Sequence, residues 1–450
     1  MTHVIVIGAG PAGYVAAIRA AQLGMKTTLI EKRKSLGGTC LNVGCIPSKS
    51  LLQSTDHYHW LCHAAKEHGI RIKNVDIDFE VMMQRKQKVV EGLVADVDGL
   101  MKKNKISVIQ GSACFVDPQT LEVNGKKLHA DNFILATGSE PVELPFLKFD
   151  EEKILSSTGA LSLKKIPKKL IVIGAGVIGV EMGSVYCRLG TEVLFIEMMG
   201  SICLGIDIKT ARAFQSILQK QGMKFLLGAK VLKGEKKQEG IQITFEHEGK
   251  ESQENADCVL VAVGRRPYVE GLNLEAAGID KTDRGYIAVD ANFRTSQPHI
   301  YAIGDLIGGA MLAHKASEEG VAVAEILAGQ TPHLNYIAIP NVIYTHPEVA
   351  TIGLTEEETD KAGIEIVTKS FPFRANPRAR CAGDLEGSVK LLADKKSNRL
   401  IGMHIIGPQA SELIHEGVIA IEKGMTIHEL GRICHAHPTL SEAIKEAAGL

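Results

Sequence analysis

The feature that most limits what this chain can become is a duplication. Val4-Ile5-Val6-Ile7 is a short, β-branched apolar run. It passes at once into Gly8-Ala9-Gly10-Pro11-Ala12-Gly13, then a stretch with helical apolar spacing from Tyr14 to Leu23, then a second apolar run, Thr27 to Ile30, ending on Glu31. The order recurs downstream: Leu170 to Ile173, then Gly174-Ala175-Gly176-Val177-Ile178-Gly179, a helical stretch, and Glu192 to Ile196 ending on Glu197. In each copy the acid lies 18 residues beyond the last glycine. Strand, G-x-G-x-x-G, helix, strand, acid is an order that holds a dinucleotide. The glycines permit the tight turn and bring backbone amides to a pyrophosphate at the helix N-terminus, and the acid meets a ribose hydroxyl. Two copies imply two nucleotide sites on two domains, read most simply as one tightly held flavin dinucleotide and one exchangeable nicotinamide nucleotide. After Glu197 come Met198, Met199, Gly200 and Ser201, with no arginine to meet a 2′-phosphate, which favours NAD over NADP.

Directly after the first acid comes Gly37-Gly38-Thr39-Cys40-Leu41-Asn42-Val43-Gly44-Cys45-Ile46-Pro47-Ser48-Lys49. On an ideal helix an i,i+5 pair is about 7.5 Å apart along the axis. A disulfide wants its Cα atoms roughly 4.4–6.8 Å apart, so a bridge here would need a distorted backbone, the kind that is easily reduced. The pair reads equally as two free thiols in a buried helix. The other seven cysteines are scattered without metal-ligand spacing, and no metal site is expected.

The bulk numbers exclude several classes. With 51 basic and 52 acidic residues, nothing points to nucleic acid or a membrane surface. No apolar run approaches the ~18 residues of a membrane span. The strand at Val4 leaves no room for a signal peptide, and the cysteine usage fits a reducing, cytoplasmic setting.

Further along, residues 50–105 read as long scaffold helices, and Thr120–Gly125 as a hairpin turning on Asn-Gly. Phe133–Ser139 and Val259–Val263 read as buried strands opening into glycine turns. Ile300–Asp305 is a strand ending in an acid suited to a cofactor hydroxyl, and Met311–Ala316 opens a helix. From about Asn335 the texture changes to strands, such as Ile364–Val367, Gly387–Leu392 and Ile401–Ile406, followed by helices, read as a separate α+β domain.

Near the end lies His435-Ala436-His437-Pro438-Thr439-Leu440-Ser441-Glu442. A dithiol substrate needs a base, because the thiolate is the attacking form, and histidine suits that work near neutral pH. A carboxylate on the other ring nitrogen would fix the tautomer. Spacing alone favours Thr439-x-x-Glu442 as a capping box for the last helix, and leaves His435 and His437 equal as bases.

Taken together, GAGPAGY, EK followed by LGGTCLNVGCIPSK, ATGSEP, GAGVIGVE, GRRP, AIGD, MLAHKA and HAHPTLSE resemble the flavoprotein disulfide reductases over essentially the whole chain. The resemblance is strongest to members that oxidise a protein-bound dihydrolipoyl group with NAD⁺. It implies a Cys40–Cys45 redox disulfide, with Cys40 meeting the substrate and Cys45 against the flavin. Lys49 would sit near the flavin's reactive nitrogen, in relation to Glu181. His437 would be the base and Glu442 its partner, which displaces the capping reading unless the two carboxylate oxygens divide the work. FAD contacts would come from Gly8, Gly10, Gly13, Glu31, Lys32, Gly38, Thr39, Cys40, Lys49, Ala113, Thr137, Gly138, Ser139, Asp305, Met311, Leu312, Ala313 and His314. NAD contacts would come from Gly174, Gly176, Val177, Ile178, Gly179, Glu181, Glu197, Val231 and Gly264.

The expected fold class is α/β: two Rossmann-like dinucleotide-binding domains, for FAD and NAD, plus a C-terminal α+β dimerisation domain. The expected boundaries are 1–144 for FAD, 145–267 for NAD, 268–335 for a central segment completing the FAD site, and 336–450 for the interface domain. The implied partners are a second copy of the chain, in a homodimer whose C-terminal histidine reaches the other subunit's disulfide, and a lipoyl-bearing domain of a 2-oxo-acid dehydrogenase or glycine cleavage complex.

Overall fold

A computed structural model describes residues 1–449. The chain gathers into two compact units, each drawn from separated stretches. Residues 1–50, 83–142 and 264–334 make the first; 51–82, 143–263 and 335 onward make the second.

The first unit is built on a five-stranded parallel sheet, in the order Ile300–Ala302, Asn132–Leu135, His3–Ile7, Lys26–Glu31, Ser107–Gln110. Its central strand is apolar at every position from Val4 to Ile7 and buried on both faces, as a central parallel strand must be. The two-residue period sorts these side chains. Val4 and Val6 enter a core with Ala16 and Ala20 of helix Pro11–Gln22 and Val323 of helix Ala313–Leu327. Ile5 and Ile7 enter a second core with Phe115, Phe133 and Leu272. The expected hairpin is present: Thr120–Val123 pairs with Lys126–His129 across Asn124 and Gly125, both at positive φ (52° and 74°), as a type I′ turn requires.

The second unit contains another five-stranded parallel sheet, in the order Lys224–Leu227, Glu192–Glu197, Lys169–Ile173, Cys258–Val261, Ile154–Leu155. It also contains an antiparallel five-stranded sheet ordered Asn341–Ile343, Glu348–Gly353, Leu400–Gly407, Ser388–Asp394, Ile366–Pro372. Helices Ala410–Glu422, Ile427–Arg432 and Glu442–Gly449 belong to the core of that antiparallel sheet. The strand expected at Ile364–Val367 starts later, at Ile366. Gly363 ends helix Glu356–Ala362 at φ 66°, and the Ile364 amide still closes that helix by donating to Thr359 O (2.9 Å), so the strand cannot begin until the stop is complete. Among the described residues no helix is long and apolar enough to cross a membrane.

Candidate active site

The two glycine turns are built alike. Gly8 (φ 100°) and Gly174 (φ 97°) take a left-handed turn straight out of the central strand. A Cβ would lie 2.4 Å from Ala136 O on Gly8 and 2.5 Å from Ala262 O on Gly174. A Cβ on Gly13 would lie 1.7 Å from Gly8 O, and one on Gly179 would lie 2.2 Å from Gly174 O. These are backbone atoms that cannot move aside, so each turn accepts only glycine. Gly10 and Gly176 then start the helices Pro11–Gln22 and Val177–Arg188 from extended backbone.

The acids are placed alike too. Glu31 accepts from the amides of Ala9 (2.8 Å) and Arg33 (2.9 Å); Glu197 accepts from Ala175 (2.7 Å) and Met199 (2.8 Å). Each cradle therefore presents free helix N-terminal amides with a carboxylate fixed beside them, the chemistry a dinucleotide's pyrophosphate and ribose require.

The cysteine stretch docks on the first cradle. The Gly37 amide donates to Ala9 O (2.8 Å), and a Cβ on Gly38 would lie 2.5 Å from Gly10 Cα. Asn42 ties the stretch together, accepting from the Ser35 hydroxyl and donating to the carbonyls of Leu36 and Gly38. The two cysteines do not share one helix. Gly38–Val43 stops at Gly44 (φ −141°, ψ −113°), and a new helix, Cys45–His63, begins with Cys45. This break is the distortion that a pair with i,i+5 spacing needs. Both residues are thiols here, joined by a hydrogen bond. That bond first, and burial second, hold the Cys40 thiol well above the usual thiol range, while the Lys49 ammonium acts in the opposite direction.

Other expected FAD residues converge in the same unit. The Ser139 hydroxyl donates to Asp305, Thr137 Oγ1 donates to Tyr268 O (2.5 Å), and Lys32 Nζ lies 3.4 Å from the centre of the Tyr268 ring. Gly138 accepts from the Tyr268 amide, and Ala113 opens a strand at the edge of the core. Met311 and Leu312 lead into helix Ala313–Leu327, with Ala313 and His314 in its first turn. Sequence reasoning missed two supports. Arg265 donates to both the hydroxyl and the carbonyl of Ser139 (2.8 and 2.7 Å). Lys315 and Glu319, 3% and 0% exposed, pair at 2.8 Å and grip the turn carrying Asp305: Glu319 accepts from the Gly304 amide, and Lys315 donates to Gly308 O. The signal of that pair in the sequence was a lysine and a glutamate at i,i+4 in the first half of the helix.

In the second unit, Val177, Ile178 and Glu181 lie in the helix that leaves the second cradle, and Val231 lies in strand Lys230–Lys236. Glu181 is buried and accepts from the Tyr344 amide (3.0 Å). Gly264, expected with the NAD residues, falls in the first unit, at φ 123°.

The C-terminal turn separates the two histidines. His435 is 6% exposed and both its ring nitrogens are occupied, by Ile433 O (3.0 Å) and Glu416 (3.1 Å). Neither of its ring nitrogens is open to a substrate. His437 is 69% exposed, and its Nδ1 meets Glu442 Oε1 at 2.9 Å. The other oxygen, Oε2, accepts from the Thr439 amide (2.8 Å). Glu442 therefore does both jobs with separate oxygens. Only half of the capping box forms, because the Thr439 hydroxyl turns back to Ala436 O. The Thr439 amide first, and His437 second, hold the Glu442 carboxyl below the usual carboxylate range.

Residues 2–320 match the family profile of the pyridine nucleotide-disulphide oxidoreductases, and residues 339–448 match that family's dimerisation domain. The chain is 50% identical to a mitochondrial dihydrolipoyl dehydrogenase of Dictyostelium discoideum, over 99% of this chain and 93% of that protein. It is 48% identical to mitochondrial dihydrolipoyl dehydrogenase 1 of Arabidopsis thaliana, over 99% and 89%. A leghemoglobin reductase of Glycine max is also 48% identical, over 99% and 86%. Among solved structures, LpdA of Mycobacterium tuberculosis superposes with a TM-score of 0.92 at 27% identity, covering 100% of this chain and 99% of that one. Several of these relatives are mitochondrial by name, whereas the cysteine usage alone pointed to a cytoplasm. The chain belongs to the pyridine nucleotide-disulphide oxidoreductase family.

Proposed function

We propose that the protein is a dihydrolipoyl dehydrogenase, oxidising a protein-bound dihydrolipoyl group to its cyclic disulfide with NAD⁺ as final acceptor. The observation that carries this reading is the exposed His437, oriented by Glu442, in a chain that also carries the Cys40/Cys45 pair. A flavoprotein that handed electrons straight to an acceptor would need neither.

FAD fits the first cradle and NAD the second. The glycine turns fold tightly enough to aim the helix starts at a pyrophosphate, Glu31 and Glu197 stand beside those starts, and Ser139 and Asp305 add polar groups in the first unit. When bound, FAD would supply the two-electron chemistry that links the thiols to a nicotinamide.

The side chains do the rest. With Nδ1–H donated to Glu442, the Nε2 lone pair of His437 faces solvent and can take the proton of one substrate thiol. The resulting thiolate attacks Sγ of Cys40 in an oxidised Cys40–Cys45 bridge. A substrate–Cys40 bond forms, the Cys40–Cys45 bond breaks, and its electron pair goes to Cys45. The second substrate thiol, losing its proton, closes the lipoyl ring and releases Cys40. The hydrogen bond between the reduced thiols favours keeping the proton on Cys40, which leaves the charge with Cys45. Lys49 balances that charge, and Glu181 belongs to the nicotinamide side. The dimerisation domain supports a homodimer, and within it His437 serves the other subunit's thiol pair.

NAD⁺ reduction by dihydrolipoamide, run beside NADPH-dependent glutathione reduction, tests the reading. Fast NADH formation without glutathione turnover is expected. Bound flavin and a reducible thiol pair with no dihydrolipoamide turnover would reject the substrate.

A further inference from the structure

The turn that carries His437 is flanked by unneutralised arginines. From Ile366 to Gly383 the chain has four basic residues, Lys369, Arg374, Arg378 and Arg380, and no acid, in a protein whose net charge is −1. Asn376 fastens this segment to the catalytic turn: its side-chain amide donates to Thr439 O (3.0 Å), while its oxygen caps helix Pro377–Ala382 through Ala379 N. Arg374, Arg378 and Arg380 are exposed around that anchor, and Arg432 is exposed on the other approach to the turn. Arg380 Nε is held on Arg374 O (2.7 Å). Four acids of the region are engaged elsewhere: Asp384 faces His346, Glu386 faces Lys220, Glu416 holds His435 and Glu442 holds His437; Glu446, on the last helix, is exposed. Among the described residues no carboxylate pairs with any of the four arginines.

We infer that these arginines form a docking collar for an acidic polypeptide surface around the dihydrolipoyl-lysine that His437 deprotonates. The inference rests on the proposed function and names the partner of that same site. The dithiol and its amide linkage arrive uncharged, and any effect of positive charge on the thiolate formed at His437 would be felt alike by every dihydrolipoyl substrate. Discrimination between substrates must therefore come from what surrounds the dithiol, and rim charges of this kind raise the rate of encounter and select the partner. Because the collar and His437 are tied by Asn376, the collar accompanies the histidine wherever it is delivered.

The test uses the holoenzyme and three reduced substrates: free dihydrolipoamide, a synthetic dihydrolipoyl-lysine peptide flanked by Asp and Glu, and the same peptide flanked by Lys and Arg. At low ionic strength the acidic peptide should show a kcat/KM about tenfold above the basic one, and high salt should erase most of the gap. The double variant R374Q/R378Q should close the gap and leave kcat/KM for dihydrolipoamide unchanged, whereas R374K/R378K should preserve it. Turnover of dihydrolipoamide with no preference between the peptides would overturn the collar alone, as would an equal loss on all three substrates in R374Q/R378Q. Absence of dihydrolipoamide turnover in the unaltered enzyme would overturn the proposed function, and the collar with it.

Discussion

Glu442 spends one oxygen on His437 Nδ1 and the other on the Thr439 amide, so its negative charge fixes both the tautomer of the base and the start of the last helix. A glutamine in its place can accept with only one of its two terminal atoms and must misplace either the imidazole or the turn. We expect His437→Gln to lower kcat/KM for dihydrolipoamide by roughly 10²–10⁴, the usual worth of a positioned general base, and Glu442→Gln by about tenfold or more. Flavin reduction by NADH should be unchanged in both, since neither residue serves the nicotinamide side. Unaltered dihydrolipoamide turnover in His437→Gln would remove the histidine from the mechanism. Because Thr439 and His437 hold the Glu442 carboxyl below its ordinary range, the carboxylate stays ionised on mild acidification, and loss of activity near neutral pH does not come from its protonation. Spacing alone left His435 and His437 equal as bases, and the family resemblance favoured His437. What separates them in the structure is burial and Glu416, 19 positions before His435 on helix Ala410–Glu422.

At the scale of elements, the duplicated cradles were legible because every constraint in them is local: a strand, a glycine turn, a helix start and an acid at fixed spacing. The structure adds which backbone atom forbids a side chain, and that separates the two sites experimentally. Gly13→Ala places a methyl group on Gly8 O and should yield protein with little bound flavin, seen as loss of visible absorbance per chain. Gly179→Ala makes the same clash with Gly174 O and should keep the flavin while raising KM for NAD⁺; a penalty of about 2 kcal/mol is roughly thirtyfold. Equal flavin loss in both variants would mean the cradles do not hold different nucleotides.

What the sequence hid at this scale are polar groups brought together from distant segments. Asp207 caps helix Ile208–Lys220 and pairs with Lys390 at 2.7 Å, and Lys390 also meets Glu356 at 2.8 Å. Burial pushes the Asp207 carboxyl up, but Lys390 and the Thr210 amide outweigh it and bring it down to about 2. A carboxyl lowered on folding stabilises the protein above its unfolded value, near 3.9, and that stability is lost as pH falls through the folded value. The loss should therefore appear between about pH 4 and pH 2 and amount to roughly 2 kcal/mol. Asp207→Asn keeps the cap and should flatten that part of the melting-temperature profile. A profile unchanged by the substitution would assign the acid sensitivity elsewhere.

At the scale of the whole molecule, a returning central segment at 268–335 was expected from the sequence, but the placing of residues 51–82 in the second unit was not. The strand Ile300–Ala302 completes a sheet begun at His3, across an intervening parallel sheet that belongs to the other unit. The thiol pair lies in the first unit and His437 in the second, and the proposed dimer makes each His437 serve the pair on the other chain. Complementation decides this. Cys45→Ser destroys the thiol pair and His437→Gln destroys the base, so each variant alone should be inactive with dihydrolipoamide. In a heterodimer of the two, service in trans brings the intact pair of the His437→Gln chain together with the intact histidine of the Cys45→Ser chain, making one complete site; service in cis makes none. Random reassembly of an equal mixture gives half heterodimers, each with one working site of two, so recovery of about a quarter of unaltered activity is expected on two-fold symmetry. Recovery should require subunit exchange and should not appear when the two homodimers are mixed without it. A mixture that exchanges, as shown by mass-labelled subunits, and stays inactive would place the base on the same chain as its thiols and leave the dimer no part in the chemistry.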